Sequence, residues 1–185
     1  MPRPDRIEGL AIVSVEGMIA DSHGVQPPSL RLEADQKFFR EQCDRADVLV
    51  HGQNSSEGGP HYPERRRLIL TRQIPALAPD PDNPMATLWN PAGASLDQAW
   101  EELGFSGGLL TVIGGTEGFG LFLNLGYDVF HLSRAAYAHL PGGRPVFPGV
   151  PARTPEELLA AHGLKPGPTR VLDASDGVTL VTWTR

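Results

Sequence analysis

The sequence predicts a three-layer α/β/α protein with a mostly parallel central sheet and an antiparallel hairpin at its C-terminal edge. Three observations predict it. Short, almost wholly apolar runs recur along the chain, as strands buried on both faces require. Segments carrying helix punctuation lie between those runs. The chain ends in two extended runs joined by Asp176-Gly177, a dipeptide suited to the positive dihedrals of a tight β-turn.

Residues 7–15 (IEGLAIVSV) are apolar and β-branched and form the first predicted strand, followed by the loop EGMIADSHGVQPPS. A helix is predicted over 33–44, where Phe38, Phe39 and Cys43 recur about a helical turn apart and acidic residues stand early, as the helix dipole favours. ADVLVHG (46–52), RRRLILT (65–71) and ATLWN (86–90) read as the next three strands, with the Pro- and Asp-rich segment 75–84 as a loop. SLDQAWEEL (95–103) reads as a helix from a Ser N-cap to Gly104. GLLTVIGG (108–115) is a strand ended by Gly114 and Gly115, TEGFGLFLNL (116–125) a helix and YDVFHLSRA (127–135) an alternating strand. TPEELLAAHG (154–163) has a Thr cap, a Pro in the first turn and a terminal Gly, and 169–174 with 178–184 make the hairpin. No repeat or linker interrupts the chain, so 1–185 reads as a single domain.

Composition narrows the function classes. A chain of 185 residues, 40% hydrophobic, hides roughly 70% of its unfolded surface and needs neither disulfide nor structural metal to do so. Its 21 Gly and 18 Pro stay below the roughly 25–30% that marks unstructured low-complexity chains. A lone Cys43 makes no internal disulfide, zinc finger or redox pair. With a net charge of −6 and only short Arg clusters, there is no basic face for nucleic acid or an anionic membrane. Of the 16 basic residues 14 are Arg, which fits either phosphate recognition by guanidinium groups or a coding bias. The start, MPRPDRIEG, lacks the apolar core of a signal peptide, and no run approaches the ~18 residues of a membrane span. A soluble cytoplasmic protein is expected. His51, His61, His131 and His139 show no H-E-x-x-H or other short ligand spacing, so no metal is expected. Cys43, Met18, Phe38, Phe39, Phe119 and Phe122 read as core or pocket wall.

In an open α/β sheet, ligands bind beyond the carboxyl ends of the strands. Three such ends carry suggestive residues. After VIGG, two glycines and Thr116 at a helix start let backbone N–H groups and the positive dipole end approach a phosphate, although a plain strand-to-helix turn has the same residues. Gly52 is followed by Gln53, Asn54, Ser55 and Ser56, short polar groups able to line a phosphate pocket or simply to form a polar turn. Thr71-Arg72 supplies a hydroxyl and a guanidinium at the same sheet end. A dinucleotide needs all three together.

The order of AIVSVEGMIA, ADQKFF, VLVHGQNS, RRRLILTRQ, TVIGGTEGFGLFL, FHLS and VFPG resembles the dihydrofolate reductase fold family over about residues 7–150. SVEGMIA is similar to the S-x-D-G-x-I-A signature of the riboflavin-pathway reductase branch, the C-terminal reductase type of the bifunctional deaminase/reductase, with Glu16 in place of Asp. The resemblance implies reduced NADP (NADPH) lying across the strand ends. Gly52, Gln53, Asn54 and Ser55 match the loop on the adenine-side phosphates, and Thr71 with Arg72 the 2′-phosphate site. Gly114 and Gly115, joined by a cis peptide in that family, match the pyrophosphate site together with Thr116, Glu117, Gly118 and Phe119. Ile12, Ile19 and Ala20 would border the nicotinamide. Two positions depart from the pattern: Gln53 stands where dihydrofolate reductases have Arg or Lys, and the Trp of the loop after the first strand is missing.

Asp35 matches the acid that holds the substrate ring and assists its protonation. Hydride addition to a C=N bond needs a proton on nitrogen, and a half-buried carboxyl supplies it. Glu33, two residues earlier, is the neighbouring alternative, and a first-turn helix acid favoured by the dipole is the other role open to Asp35. Ser133 matches a hydroxyl at the substrate ring and Arg66 a partner for an acidic tail, while Arg65–Arg67 also reads as a solvated strand end. The expected function is an NADPH-dependent reductase acting on a small pterin- or pyrimidine-like heterocycle. The resemblance to the riboflavin-type branch adds a homodimer. The alternatives are a dinucleotide- or ligand-binding protein on the same fold without turnover, and loops that are turns only, with the sheet serving self-association.

Overall fold

Alternation of side chains along a strand decides which face each residue buries, and β1 (Arg6–Val13) shows the consequence. Ile7, Ala11 and Val13 enter one apolar cluster, while Leu10 and Ile12 enter two others on the opposite face. A strand covered on both sides needs helices on both sides. The computed structural model describes residues 2–185. After β1 come β2 (Met18–Ala20), α1 (Glu33–Arg45), β3 (Val48–Gly52), β4 (Arg67–Leu70), β5 (Leu77–Asp80) and β6 (Asn83–Trp89). Then follow α2 (Leu96–Glu102), β7 (Leu109–Val112), α3 (Thr116–Leu125), β8 (Val129–Ala135), β9 (Arg144–Pro145), α4 (Pro155–Ala161), β10 (Lys165–Pro166), β11 (Arg170–Asp173) and β12 (Val178–Thr184).

The main sheet runs β10-β12-β8-β1-β7-β3-β4-β6-β5, with β11 paired to β12. Its centre, from β8 to β6, is parallel throughout. The C-terminal hairpin adds antiparallel to β8, from Val178 opposite Ala135 to Thr184 opposite Val129. Cys43 of α1 packs with Leu10, Leu49 and Ile113 on one face, with Phe38 and Phe39 against them. Trp100 of α2, Phe119 and Phe122 of α3, and Leu158 and Leu159 of α4 build the larger core on the other. Helix ends follow their punctuation: Ser95 and Gln98 form a reciprocal capping box, and the Thr154 hydroxyl caps α4.

Three segments differ from the sequence reading. The segment 75–84 is not a loop throughout: Leu77–Asp80 pairs antiparallel with β6 as an edge strand, with a register shift at Pro79, and both features tolerate a proline. Within the expected loop after β1, Met18 and Ala20 pair with Pro145 and Arg144, tying residues 18–20 to a distant segment. The Arg65–Arg67 stretch is not a solvated strand end. Arg67 is 0% exposed; it donates to Glu57 at 2.6 and 2.9 Å, to the Tyr62 carbonyl at 2.8 Å and to His51 Nε2 at 3.0 Å. Because a guanidinium only donates, His51 Nε2 accepts and its Nδ1–H donates to the Gly52 carbonyl at 2.7 Å. Burial, which lowers the His51 pKa, favours that neutral imidazole. Burial works to raise the Glu57 carboxyl, but the hydrogen bonds from Arg67 and Arg65 outweigh it and hold the pKa below its ordinary value.

Two outcomes follow from this packing. A Cβ on Gly9 would stand 2.3 Å from the Phe130 ring and 2.8 Å from Tyr127, so Gly9→Ala overpacks the core by about 1–3 kcal/mol. In thermal unfolding this reads as a Tm lowered by roughly 2–4 °C per kcal/mol. Glu57→Ala leaves the Arg67 guanidinium buried without its carboxylate and lowers unfolding free energy by about 3–5 kcal/mol, whereas exchanging Glu57 and Arg67 together for Met costs far less. Urea titration of the single and double variants measures the difference.

Candidate active site

Parallel pairing sends the ends of β1, β7, β3 and β4 to one edge of the sheet, and two cavities open there. The smaller, about 460 Å³, lies between α1 and the segment 54–61; the larger, about 1040 Å³, runs along the ends of β3 and β4 to the start of α3. Ile19, Ala20, Gly24, Asn54 and Ser55 border both, so the two spaces adjoin.

Asp35 lies on the wall of the smaller cavity and is 6% exposed. Glu33 is exposed and lines neither cavity, so the carboxyl facing the space is that of Asp35. Burial pushes the Asp35 pKa up to about 6, and the Ser133 hydroxyl beside it works against the rise. Ser133 is itself 0% exposed, and its Oγ completes no hydrogen bond of ordinary geometry. It stands beside Asp35 and lines neither cavity itself. Arg66, expected at a substrate's acidic tail, is placed away from both cavities. It stands at the opposite, N-terminal end of β4, lines neither cavity, donates to the Leu103 carbonyl at 2.6 Å and stacks 5.7 Å from the Phe105 ring centroid. One residue on either side the alternation reverses: Arg65 lines the smaller cavity, bonded to Asp44 and Glu57. Sequence reasoning also missed Gln36, Arg40 and Glu57 around the same cavity. Gln36 and Arg40 stand four residues apart, one above the other on α1 and turned about a quarter of the helix from Asp35; Glu57 carried no local signal.

The remaining candidates divide between the two spaces. Ile12, Gly114 and Phe119 border the smaller cavity, and Gly52, Gln53, Thr71, Arg72, Gly115, Thr116, Glu117 and Gly118 the larger. Phe119 is 1% exposed and packs edge-on to Phe130 and Phe147, so its ring is chiefly core. The Gly114–Gly115 peptide is cis. Gly114 has φ +156°, and a Cβ there would press 2.8 Å from Ser55 Cβ, so bare backbone is required. Its carbonyl accepts from the Gly52 N–H at 3.2 Å, joining the ends of β7 and β3.

The N-terminus of α3 has no side-chain cap. Thr116, Glu117 and Gly118 precede the first intrahelical bond, from the Phe119 N–H to the Gly115 carbonyl at 2.9 Å, which leaves their N–H groups and the positive dipole end for an anion. The Thr116 hydroxyl is occupied by the Pro145 carbonyl, so this residue offers only its backbone. Thr71 Oγ1 accepts from the Gln73 N–H at 3.1 Å, and Arg72 pairs with Glu117 at 3.1 Å. Both partners of that pair are largely exposed, and solvent leaves such a pair weak enough for a phosphate to displace. Gly52 has room on its outer side, since nothing comes closer than 3.8 Å to a Cβ built there. Bare backbone at Gly52 and Gly115, free N–H groups and a displaceable guanidinium suit a diphosphate-bearing ligand along the larger cavity.

No family model matches the sequence, and no curated protein does. Solved structures are similar over nearly the whole chain. A protein assigned to riboflavin biosynthesis from Shewanella sp. PV-4 aligns with TM-score 0.67 at 21% identity, covering 97% of this chain and 98% of that one. Dihydrofolate reductase from Enterococcus faecalis, complexed with NADP(H) and RAB-propyl, aligns with TM-score 0.66 at 18% identity, covering 100% and 99%. A diaminohydroxyphosphoribosylaminopyrimidine deaminase/5-amino-6-(5-phosphoribosylamino)uracil reductase from Thermotoga maritima aligns with TM-score 0.65 at 16% identity, covering 98% of this chain and 56% of that one. Strand order, the glycine pair at the end of β7 and these alignments agree, and the chain has the dihydrofolate reductase-like fold.

Proposed function

We propose that this protein is an NADPH-dependent reductase that transfers hydride to a C=N bond of a small pterin- or pyrimidine-like heterocycle. The observation that carries the reading is the buried Asp35 carboxyl, titrating near 6, in a cavity that adjoins a phosphate-compatible groove. The folds of the similar reductases support it.

On this reading Gly52, Gln53, Asn54 and Ser55 hold the adenine-side phosphates, and Gly114, Gly115 and the first turn of α3 hold the pyrophosphate. Thr71 and Arg72 hold a 2′-phosphate, Arg72 leaving Glu117 to do so. Reduced nicotinamide, when bound, supplies the hydride. Ile19 and Ala20 flank the junction between the cavities, Ile12 lies on the smaller cavity's side of it, and together they fix the approach of one ring to the other. Asp35 anchors the heterocycle and keeps a carboxyl proton for the ring nitrogen that gains electron density. Ser133 limits how far burial raises that acid.

Fluorescence titration with NADPH, followed by turnover with dihydropterin, dihydrofolate and aminouracil substrates, tests the reading. Absence of both binding and oxidation sinks it; binding without turnover on any of them favours a ligand-binding protein instead. Asp35→Asn is expected to lower kcat about 10²–10⁴-fold with NADPH affinity unchanged. Since the protonated acid is the active form, the rate of the unaltered protein falls as pH rises through about 6, and a flat profile refutes the assignment. Stability moves the same way with pH. A carboxyl with pKa about 6 folded and 3.8 unfolded is neutral in both states below pH 3.8, and above pH 6 its buried charge opposes folding by at most about 3 kcal/mol. Asp35→Asn therefore raises Tm at pH 8 and leaves it unchanged at pH 3.5.

A further inference from the structure

The larger cavity is bordered by Arg72, Arg144 and His23 and by one carboxylate, Glu117. Arg72 is engaged by Glu117, whereas Arg144 has no ion pair. Its Nε donates to the Ser22 carbonyl at 3.3 Å, and among the described residues neither terminal nitrogen has a hydrogen-bond partner. The Asp21 carboxylate feels its charge from beyond ion-pair distance.

Three contacts fix where this guanidinium stands. Arg144 pairs with Ala20 across the β2–β9 ladder. The next residue, Pro145, accepts the hydroxyl of Thr116, which ties the strand to the first turn of α3. A Cβ on Gly24 would stand 3.8 Å from Arg144 Cζ, so the side chain lies against the 21–25 turn. That turn is closed by Asp21, whose Oδ1 accepts the N–H groups of His23 and Val25 at 2.9 and 3.0 Å. Arg144 thus joins three parts of the wall: the anion-ready start of α3, the short strand beneath the junction of the two cavities, and the turn that borders both.

We propose that Arg144 is a pyrophosphate ligand of the dinucleotide groove, its terminal nitrogens reaching phosphate oxygens while Nε fastens the 21–25 turn at Ser22. The proposal rests on the reading of that groove given above. A guanidinium with its outer fork free is the group best shaped for two oxygens of one phosphate. Pyrophosphate is common to NADPH and NADH, so the residue should serve both alike, unlike Arg72, which would sense only the 2′-phosphate.

The experiment is a fluorescence titration of NADPH and NADH against the unaltered protein, Arg144→Ala, Arg144→Lys and Arg72→Ala, with circular dichroism confirming the fold; Arg144 is exposed, so its truncation leaves the core intact. Arg144→Ala is expected to raise Kd roughly tenfold for both dinucleotides, the loss of a charge-assisted contact. Arg144→Lys should recover part of that loss, and Arg72→Ala should weaken NADPH alone. Affinities within twofold of the unaltered protein for Arg144→Ala overturn the proposal. A loss confined to NADPH also overturns it, because it assigns the residue to the 2′-phosphate. If the unaltered protein binds neither dinucleotide, the reading of the groove fails and this assignment with it.

Discussion

The structure depends on the unbroken parallel pairing of β8, β1, β7, β3, β4 and β6. A sheet paired this way and covered by helices on both faces leaves its polar chemistry at its ends. Glycines at the ends of β3 and β7 let the two strands touch through the Gly52 N–H and Gly114 carbonyl. Neighbouring loops then diverge into two adjoining cavities instead of one. The position of Asp35, on the first turn of a helix leaning over the same edge, follows from the packing of Cys43, Phe38 and Phe39 on the sheet below.

Electrostatics separates the two sides of the site. In the smaller cavity a carboxyl is deprived of water and of any cation close enough to pair with it, which pushes its pKa up to about 6. Elsewhere on the same cavity, the Glu57 side chain is equally hidden but is bonded by two arginines and stays charged. Two acids lining one cavity are thereby driven in opposite directions by their surroundings. The Arg67 guanidinium gains its importance here: through Glu57 it anchors one end of the 53–57 loop, and through His51 it orients the Gly52 carbonyl at the other.

Much of the fold was legible because its signals are local. Ser95, Thr154 and the glycine pair at 114–115 punctuate helices and strands, and the apolar runs of a buried parallel sheet are short and unmistakable. The edge strand Leu77–Asp80 was hidden because Pro79 and the flanking Asp residues compose it like a loop; only the presence of β6 beside it makes it a strand. For the site, the strand-end glycines announced themselves by position, but facing direction did not. Arg65, Arg66 and Arg67 are three identical side chains in a row, and a period of two sends the middle one toward Phe105 and its neighbours toward Glu57. No local pattern distinguishes them, because the deciding carboxylate lies ten residues before Arg67. Arg144 was passed over for a similar reason: its contacts to Ser22 and, through Pro145, to Thr116 span more than a hundred residues and about thirty respectively.

Ile19, Ala20, Gly24, Asn54 and Ser55 face both cavities, and a shared wall is a thermodynamic statement as well as a geometric one. Any shift in those five residues that one ligand induces is felt by the other, and the resulting coupling free energy is equal in both directions. Were each cavity to hold a ligand, affinity for the two would not be independently tunable by substitution at this wall. Gln36, Phe39 and Arg40, which see the smaller cavity alone, are the positions where one space can be altered without direct change to the other.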